Sequence, residues 1–207
     1  MTEDLSRRRF LLAGVGGVAA GLGGGSVVHA IGHAATHDGP SAVDVGFCSD
    51  MTVHHVQAMA MCQRVLGRYT GDPVQAAAVE VLQTQAIEVG MMRAWLTDWG
   101  ESTAEPETAM GWMSGDHHTA GAGMPVNEMP GLASDEEMRA LSTASGLDQG
   151  RLWLELMRSH HVGGVAMAEA AAVLASADKV RRLAQVQAQV QTYEISQYDL
   201  LLTTDYA

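Results

Sequence analysis

Two segments of the chain, "MTVHHVQAMAM" at 51–61 and "MRSHHVGGVAM" at 157–167, set a pair of adjacent histidines in the same frame between two methionines. Imidazole nitrogen is a donor of intermediate softness and thioether sulfur a soft one. The mixture therefore suits Cu(I) or Ag(I) better than Mg, Ca or Mn. Zinc stays open through histidine and cysteine. Methionine carries no proton to displace, so a thioether site keeps its affinity at an acidic cell surface where protons compete for histidine and cysteine. The candidate ligands are Met51, His54, His55, Met61, Met157, His160, His161 and Met167. Taken singly, each methionine is explained as core filler and each histidine as a hydrogen-bonded core residue. Packing alone does not explain why the doubled pair recurs in one frame.

Residues three, four and seven apart share a face of a helix. Met51, His54, Ala58 and Met61 form one stripe, and Cys48, Met51, His55, Met59 and Cys62 an overlapping one. Adjacent residues point about 100° apart, so one histidine of each pair is expected to line the core and the other a rim. Cys48 and Cys62 fall roughly 21 Å apart along one helix at about 1.5 Å per residue, too far for a disulfide. They are expected as small buried apolar residues. Glu88 and Glu194 sit on apolar helices and need partners there. They are expected as acceptors for the imidazoles or as interhelical ties, with direct ligation left open.

The elements that would position these residues follow from a repeat. One offset of 106 carries His54-His55 onto His160-His161, Met51 onto Met157, Met61 onto Met167, and Gln85 and Glu88 onto Gln191 and Glu194. A first helix runs to about Tyr69. Asp72 as N-cap and Pro73 open a second helix that ends at Trp99 before Gly100. Ser134-Asp135-Glu136-Glu137 reads as a capping box opening a short helix that ends near Gly146. Two long helices follow, about Asp148 to Ala175 and Ala177 to Thr204. Two helix pairs of one design, repeat one over 42–99 and repeat two over 134–204, make an all-α four-helix bundle over 42–204. Between them the stretch 101–133 is a Met/His-rich loop with Met110, Met113, His117, His118, Met124 and Met129. It reads either as a capture segment for a soft cation or as a plain linker.

At these residues the chain resembles the bacterial domain of unknown function 305 family, over about Asp44 to Leu202. The resemblance rests on Phe47, Met51, His54-His55, Ala58, Met61, Gln85, Glu88, Met92 and Trp95-Leu96, and then on Met129-Pro130-Gly131, Trp153, Met157, His160-His161 and Met167. It implies a ferritin-like fold and, for some members, periplasmic copper binding. The chain departs from the family pattern at Cys48 and Cys62, at Gly163-Gly164 where repeat one has Gln57-Ala58, and at Tyr198 where repeat one has Met92.

The remaining signals bound the setting. Residues 1–30 have a positive head, no charge from Phe10 to Val28, and small residues near Ala30, which makes an export signal. Ser6-Arg7-Arg8-Arg9-Phe10-Leu11-Leu12 resembles a twin-arginine signal, which implies that export machinery as a partner. The segment 10–30 serves either as a cleaved leader or as a membrane anchor, and 31–41 as a linker. A net charge of −12 with 12 Lys+Arg argues against nucleic acid as a partner. No glutamate has a histidine three residues on, and His-Glu-x-x-His is missing, so di-iron and zinc-protease signatures are absent. No enzyme is indicated. The expected function is an exported protein that binds a soft metal, copper(I) first, to sequester or hand it on. The alternative is a non-enzymatic helical scaffold of the cell envelope without metal. A homo-oligomer is compatible with either.

Overall fold

The structure is a computed structural model that describes residues 39–113 and 121–207. Residues 1–30, read above as a signal or anchor, lie outside the described residues, as do most of the 31–41 linker and His117 and His118. Five helices organise the rest: α1 (Ala42–Val65), α2 (Asp72–Trp99), α3 (Asp135–Thr143), α4 (Gly146–Leu174) and α5 (Asp178–Thr203). The four long ones form the expected all-α, ferritin-like bundle. Among the described residues no helix is long and apolar enough to cross a membrane.

Local chemistry sets the helix ends. Ser41 caps α1 through a capping box with Asp44, and Ser134 caps α3 through one with Glu137, each satisfying backbone N–H groups that the first turn leaves unpaired. α1 stops at Val65, short of Tyr69, because Leu66 turns extended and Gly67 takes φ +74°. Gln75 reaches back to stitch that turn, accepting from Gly67 N (2.9 Å) and donating to Val65 O (2.8 Å) and Thr70 Oγ1 (2.6 Å). Gly71, at φ +90°, takes the N-cap position expected for Asp72, which becomes the acid of the first turn of α2. Gly100 ends α2 in the left-handed conformation, as expected. α3 ends at Thr143 rather than near Gly146, whose φ of +64° opens α4 instead. The loop between the pairs is more ordered than expected. It carries a two-residue antiparallel ladder, β1 (Thr108–Ala109) with β2 (Met124–Pro125), and short 3₁₀ turns at Gly111–Met113 and Val126–Glu128.

α1 packs on α2 and α4 on α5, and the two hairpins meet along α1 and α4. Two apolar clusters fill the bundle. One holds Val43, Phe47, Cys48, Met51, Met92, Leu96, Trp112, Met129, Met167 and Ala171. The other holds Ala58, Met61, Cys62, Val65, Val74, Leu141, Trp153, Leu154, Met157 and Tyr198. Met51 shares a cluster with Met167, and Met61 shares one with Met157, so α1 and α4 run antiparallel. The break between the clusters falls at the histidines.

Buried polar side chains tie the long loop to this frame. Asp50 Oδ2 accepts from Met110 N (2.7 Å) and Trp112 Nε1 (2.8 Å). Gln57 makes a two-way bond with the Ala133 backbone, at 2.8 and 2.7 Å. Asp44 accepts from Ala177 N (2.9 Å) and so joins the start of α1 to the turn before α5. Lys179 stands over the rings of Trp95 (5.0 Å) and Trp99 (4.5 Å), linking the start of α5 to the end of α2.

Gly163 explains one departure from the repeat. The Pro130-Gly131 crossing lies directly on α4, and a methyl group on Gly163 would collide with the backbone carbonyl of Pro130. A backbone obstacle cannot swing aside, so overpacking of about 1–3 kcal/mol outweighs the roughly 1 kcal/mol that alanine gains over glycine in a helix. Gly163→Ala is therefore expected to lower the urea midpoint of unfolding. Gly90→Ala, in α2 with open space around it, is expected to raise it. Equal shifts of the same sign in the two variants would contradict the packing described for Pro130.

Candidate metal centre

All eight candidate ligands are fully buried: Met51, His54, His55, Met61, Met157, His160, His161 and Met167 each show 0 % exposure. The expectation that one histidine of each pair lines a rim is corrected. The 100° between neighbours does separate them, but toward two protein partners instead of toward core and solvent. His54 and His160 face across the α1/α4 seam and stack, with ring centroids 3.7 Å apart and planes tilted by 34°. His55 and His161 turn to the outer helix of their own hairpin, where His55 Nε2 meets Glu88 Oε2 at 2.7 Å and His161 Nε2 meets Glu194 Oε2 at 2.8 Å.

A glycine beside the stacked rings makes the approach feasible. Gly164 lies so close to His54 that a Cβ there would come within 3.2 Å of the imidazole Cε1, and it would also crowd the Gln191 carboxamide. Ala58 holds the equivalent place in repeat one. The second departure from the repeat is thus a steric one.

The hydrogen bonds fix which ring nitrogens carry protons. His160 Nε2 lies 2.9 Å from the carbonyl oxygen of His54. A carbonyl only accepts, so Nε2 is the N–H. The carboxyl groups of Glu88 and Glu194 likewise accept from His55 Nε2 and His161 Nε2. Gln187 Nε2 donates to the same Glu88 oxygen at 3.1 Å, and its 3.2 Å approach to His55 Nε2 is a contact between two donors sharing one acceptor. Nδ1 of His55, His160 and His161 is left without a protein partner, and both nitrogens of His54 lack one. An imidazole held at one nitrogen by a carboxylate or carbonyl, with the other free and basic, is the arrangement that orients histidine toward a metal ion.

Burial keeps the central pair uncharged. The pKa values of His54 and His160 are pushed well below the ordinary histidine value, first by desolvation and then by the neighbouring histidines. The Pro130 carbonyl opposes this weakly at His54 without reaching hydrogen-bond geometry. Neutral imidazole is the ligating form. Cys48 and Cys62 are free and buried, as expected. Burial, with Asp44 adding at Cys48 and Glu194 at Cys62, pushes both thiols up to about 12. They stay protonated and act as small apolar residues.

Among the described residues no three His, Cys, Asp or Glu side chains are grouped so as to hold a metal ion. A centre built here has to draw on thioethers. Met51 sits one turn before His54 on α1, Met157 one turn before His160 on α4, and Met61 and Met167 two turns beyond. The sulfur is unevenly shared. The Met51 cluster also contains Met92, Met129, Met167 and Cys48, while the Met61 cluster pairs its sulfur with Trp153 and Tyr198. Of the loop methionines, Met129 is buried, Met110 packs against the first cluster, and Met113 is 37 % exposed. Sequence reasoning missed Gln187, whose counterpart under the 106-residue offset is the apolar Val81. It also missed Asp50 as the loop's anchor.

Residues 44–202 match the profile of a family described as Domain of unknown function (DUF305). A candidate secreted DUF305 protein from Streptomyces coelicolor is similar at 35 % identity and a TM-score of 0.69, with 78 % of this chain and 92 % of that chain covered. A DUF305 fragment from Deinococcus radiodurans is similar at 27 % identity and a TM-score of 0.66, covering 80 % and 98 %. CopM in its Cu(I)-bound form shares the fold at 24 % identity and a TM-score of 0.59, covering 79 % and 98 %. No protein of curated function matches the chain.

The uncharged central pair couples stability to pH. In the unfolded chain His54 and His160 bind protons below about 6.5, whereas in the folded chain they resist protonation. Their contribution is complete above that value and is lost as pH falls toward the depressed folded values. At about pH 5.5 the metal-free protein is expected to be less stable by about 3 kcal/mol from this pair. The comparison is between urea unfolding curves at neutral and mildly acidic pH. The His54→Leu/His160→Leu variant is expected to show a shallower acid loss; identical slopes would contradict a neutral buried pair.

Proposed function

The chain belongs to the DUF305 family, and on that premise we propose that it is an exported, non-enzymatic protein whose cargo is a soft metal ion, copper(I) first, held for sequestration or transfer. One observation carries the reading: buried imidazole nitrogens without hydrogen-bond partners stand between buried thioethers. An unpaired buried polar nitrogen costs about 1–3 kcal/mol. Five such ring nitrogens in one layer are hard to reconcile with packing as their only purpose; His54 must keep a proton on one of its two, and a bound cation would engage its other nitrogen.

The donor set argues for the softness of the ion. Calcium and magnesium need six or more oxygen ligands, and structural zinc needs four nitrogen, sulfur or oxygen donors in a closed tetrahedron. His54 and His160, with the thioethers of Met51, Met61, Met157 and Met167, suit a monovalent d¹⁰ ion that accepts few, soft ligands. His55 and His161 add nitrogen donors backed by Glu88 and Glu194. CopM, which shares the fold, is known in Cu(I)-, Cu(II)- and Ag-bound forms, and this supports the reading by kinship. Export is supported by the twin-arginine-like start of the chain and by the Streptomyces coelicolor relative; the twin-arginine machinery is the partner it implies.

Titration of the exported domain with Cu(I) against a chromogenic chelator tests the proposal. Wild type is expected to withhold the ion. His54→Ala/His160→Ala is expected to weaken binding at least about tenfold, or about 1.4 kcal/mol, with helix content unchanged by circular dichroism. Met51→Leu/Met157→Leu is expected to weaken Cu(I) binding as well. If wild type and the histidine variant compete equally badly, the metal-free scaffold reading takes its place.

A further inference from the structure

The two outer helices, α2 and α5, approach each other only loosely, while the α1/α2, α4/α5 and α1/α4 seams are closely packed. Between them lies a groove with about 10 Å³ of space, lined by Gln85, Glu88, Gln187, Gln191 and Glu194 with Val81, Thr84 and Val190 as its walls. That space suits one water-sized guest. The lining presents acceptors. Gln85, Gln187 and Gln191 are 3 %, 1 % and 3 % exposed, and the Oε1 of each has no partner. Gln187 cannot turn to hide its oxygen, because its Nε2 is committed to Glu88. The Gln191 oxygen faces inward, toward Gly164 of α4 on the side of His54, so an ion passing inward meets these oxygens in turn. Both carboxylates are the partners of the buried imidazoles, so the groove ends where His55 and His161 begin.

We infer that this groove is the vestibule through which the metal ion reaches the buried imidazoles, with the carboxamide and carboxylate oxygens as its first, transient ligands. The inference rests on the metal-binding reading above. A cleft with one sign of charge and apolar walls concentrates the field on an approaching cation and raises its capture rate. Oxygen ligands replace part of the hydration shell before nitrogen and sulfur take over. Soft cations bind such oxygens weakly, which lets the ion move on. A larger cavity of about 80 Å³, lined among others by Ser49, Thr52, Arg93 and Glu105, touches none of the imidazoles or their carboxylates.

The test is stopped-flow uptake of Ag⁺ from silver nitrate by the full chain, followed by depletion of an Ag⁺-responsive dye. Thr84→Trp and Val190→Trp fill the groove from its walls without altering a His–Glu pair. Each is expected to slow uptake by about tenfold while leaving the equilibrium affinity unchanged. Gln85→Leu/Gln191→Leu, which removes two of the oxygens, is expected to slow it several-fold, and this variant decides the matter if a tryptophan disturbs the bundle. Val173→Trp, at an 80 % exposed position on α4, is the control and is expected to match wild type. Wild-type rates in the groove variants with affinity intact would overturn the vestibule and leave the metal site standing. Failure of wild type to bind Ag⁺ at all would overturn both.

Discussion

Four imidazoles sealed at the midpoint of a bundle, the stacked pair His54 and His160 held uncharged by burial, are the constraint to which the rest of the structure answers. Burying a histidine is affordable when it is neutral and its N–H is paired, and ruinous when it is protonated and alone. The carbonyl of His54 supplies the pairing for His160, and the carboxylates of Glu88 and Glu194 supply it for His55 and His161. Those carboxylates in turn need a place near water, which puts them on the outer helices beside the α2/α5 groove. The inner helices α1 and α4 must approach closely enough for two rings to stack. That requirement selects glycine at 164. The apolar clusters to either side then exclude water from the layer and hold His54 and His160 neutral.

Much of this was legible in the chain. A constant offset of 106 residues identified the helix pairs and foretold that Glu88 and Glu194 hold equivalent places, and the 33-residue spacing of both His–Glu contacts agrees with it. The caps at Ser134 and Gly100 could be read because they depend on a few neighbouring residues. What escaped is of two kinds. Glycine positions that serve the close approach of another segment, such as Gly163 under Pro130, have no local signature. Side chains that act across the bundle, such as Gln187 on Glu88 or Asp50 on the Trp112 indole, need the tertiary fold before they have a role. The direction of the second histidine of each pair failed for the same reason: helical geometry gave the angle between neighbours but not what stood at the end of it.

The two repeats have diverged in chemistry while keeping their frame. One cluster gathers sulfur from α1, α2, α4 and the long loop, through Cys48, Met51, Met92, Met167 and Met129. At the other, Tyr198 stands where repeat one has Met92, and it packs edge-on against Trp153, with ring centroids 5.7 Å apart. Both clusters hold aromatic rings, Phe47 and Trp112 in one and Trp153 and Tyr198 in the other, but the first holds more sulfur. The two sides of the histidine layer therefore differ in donor chemistry.

The crossing of Pro130-Gly131 over α4 happens once, because the segment that makes it joins the halves and so has no duplicate. Gly163 is shaped to receive it, and α1 keeps Gln57 at the matching place to hold the backbone of Ala133. The two halves are therefore not interchangeable: the bare face of α4 at Gly163 exists only where the Pro130-Gly131 strap covers it, and α1 presents a glutamine there instead.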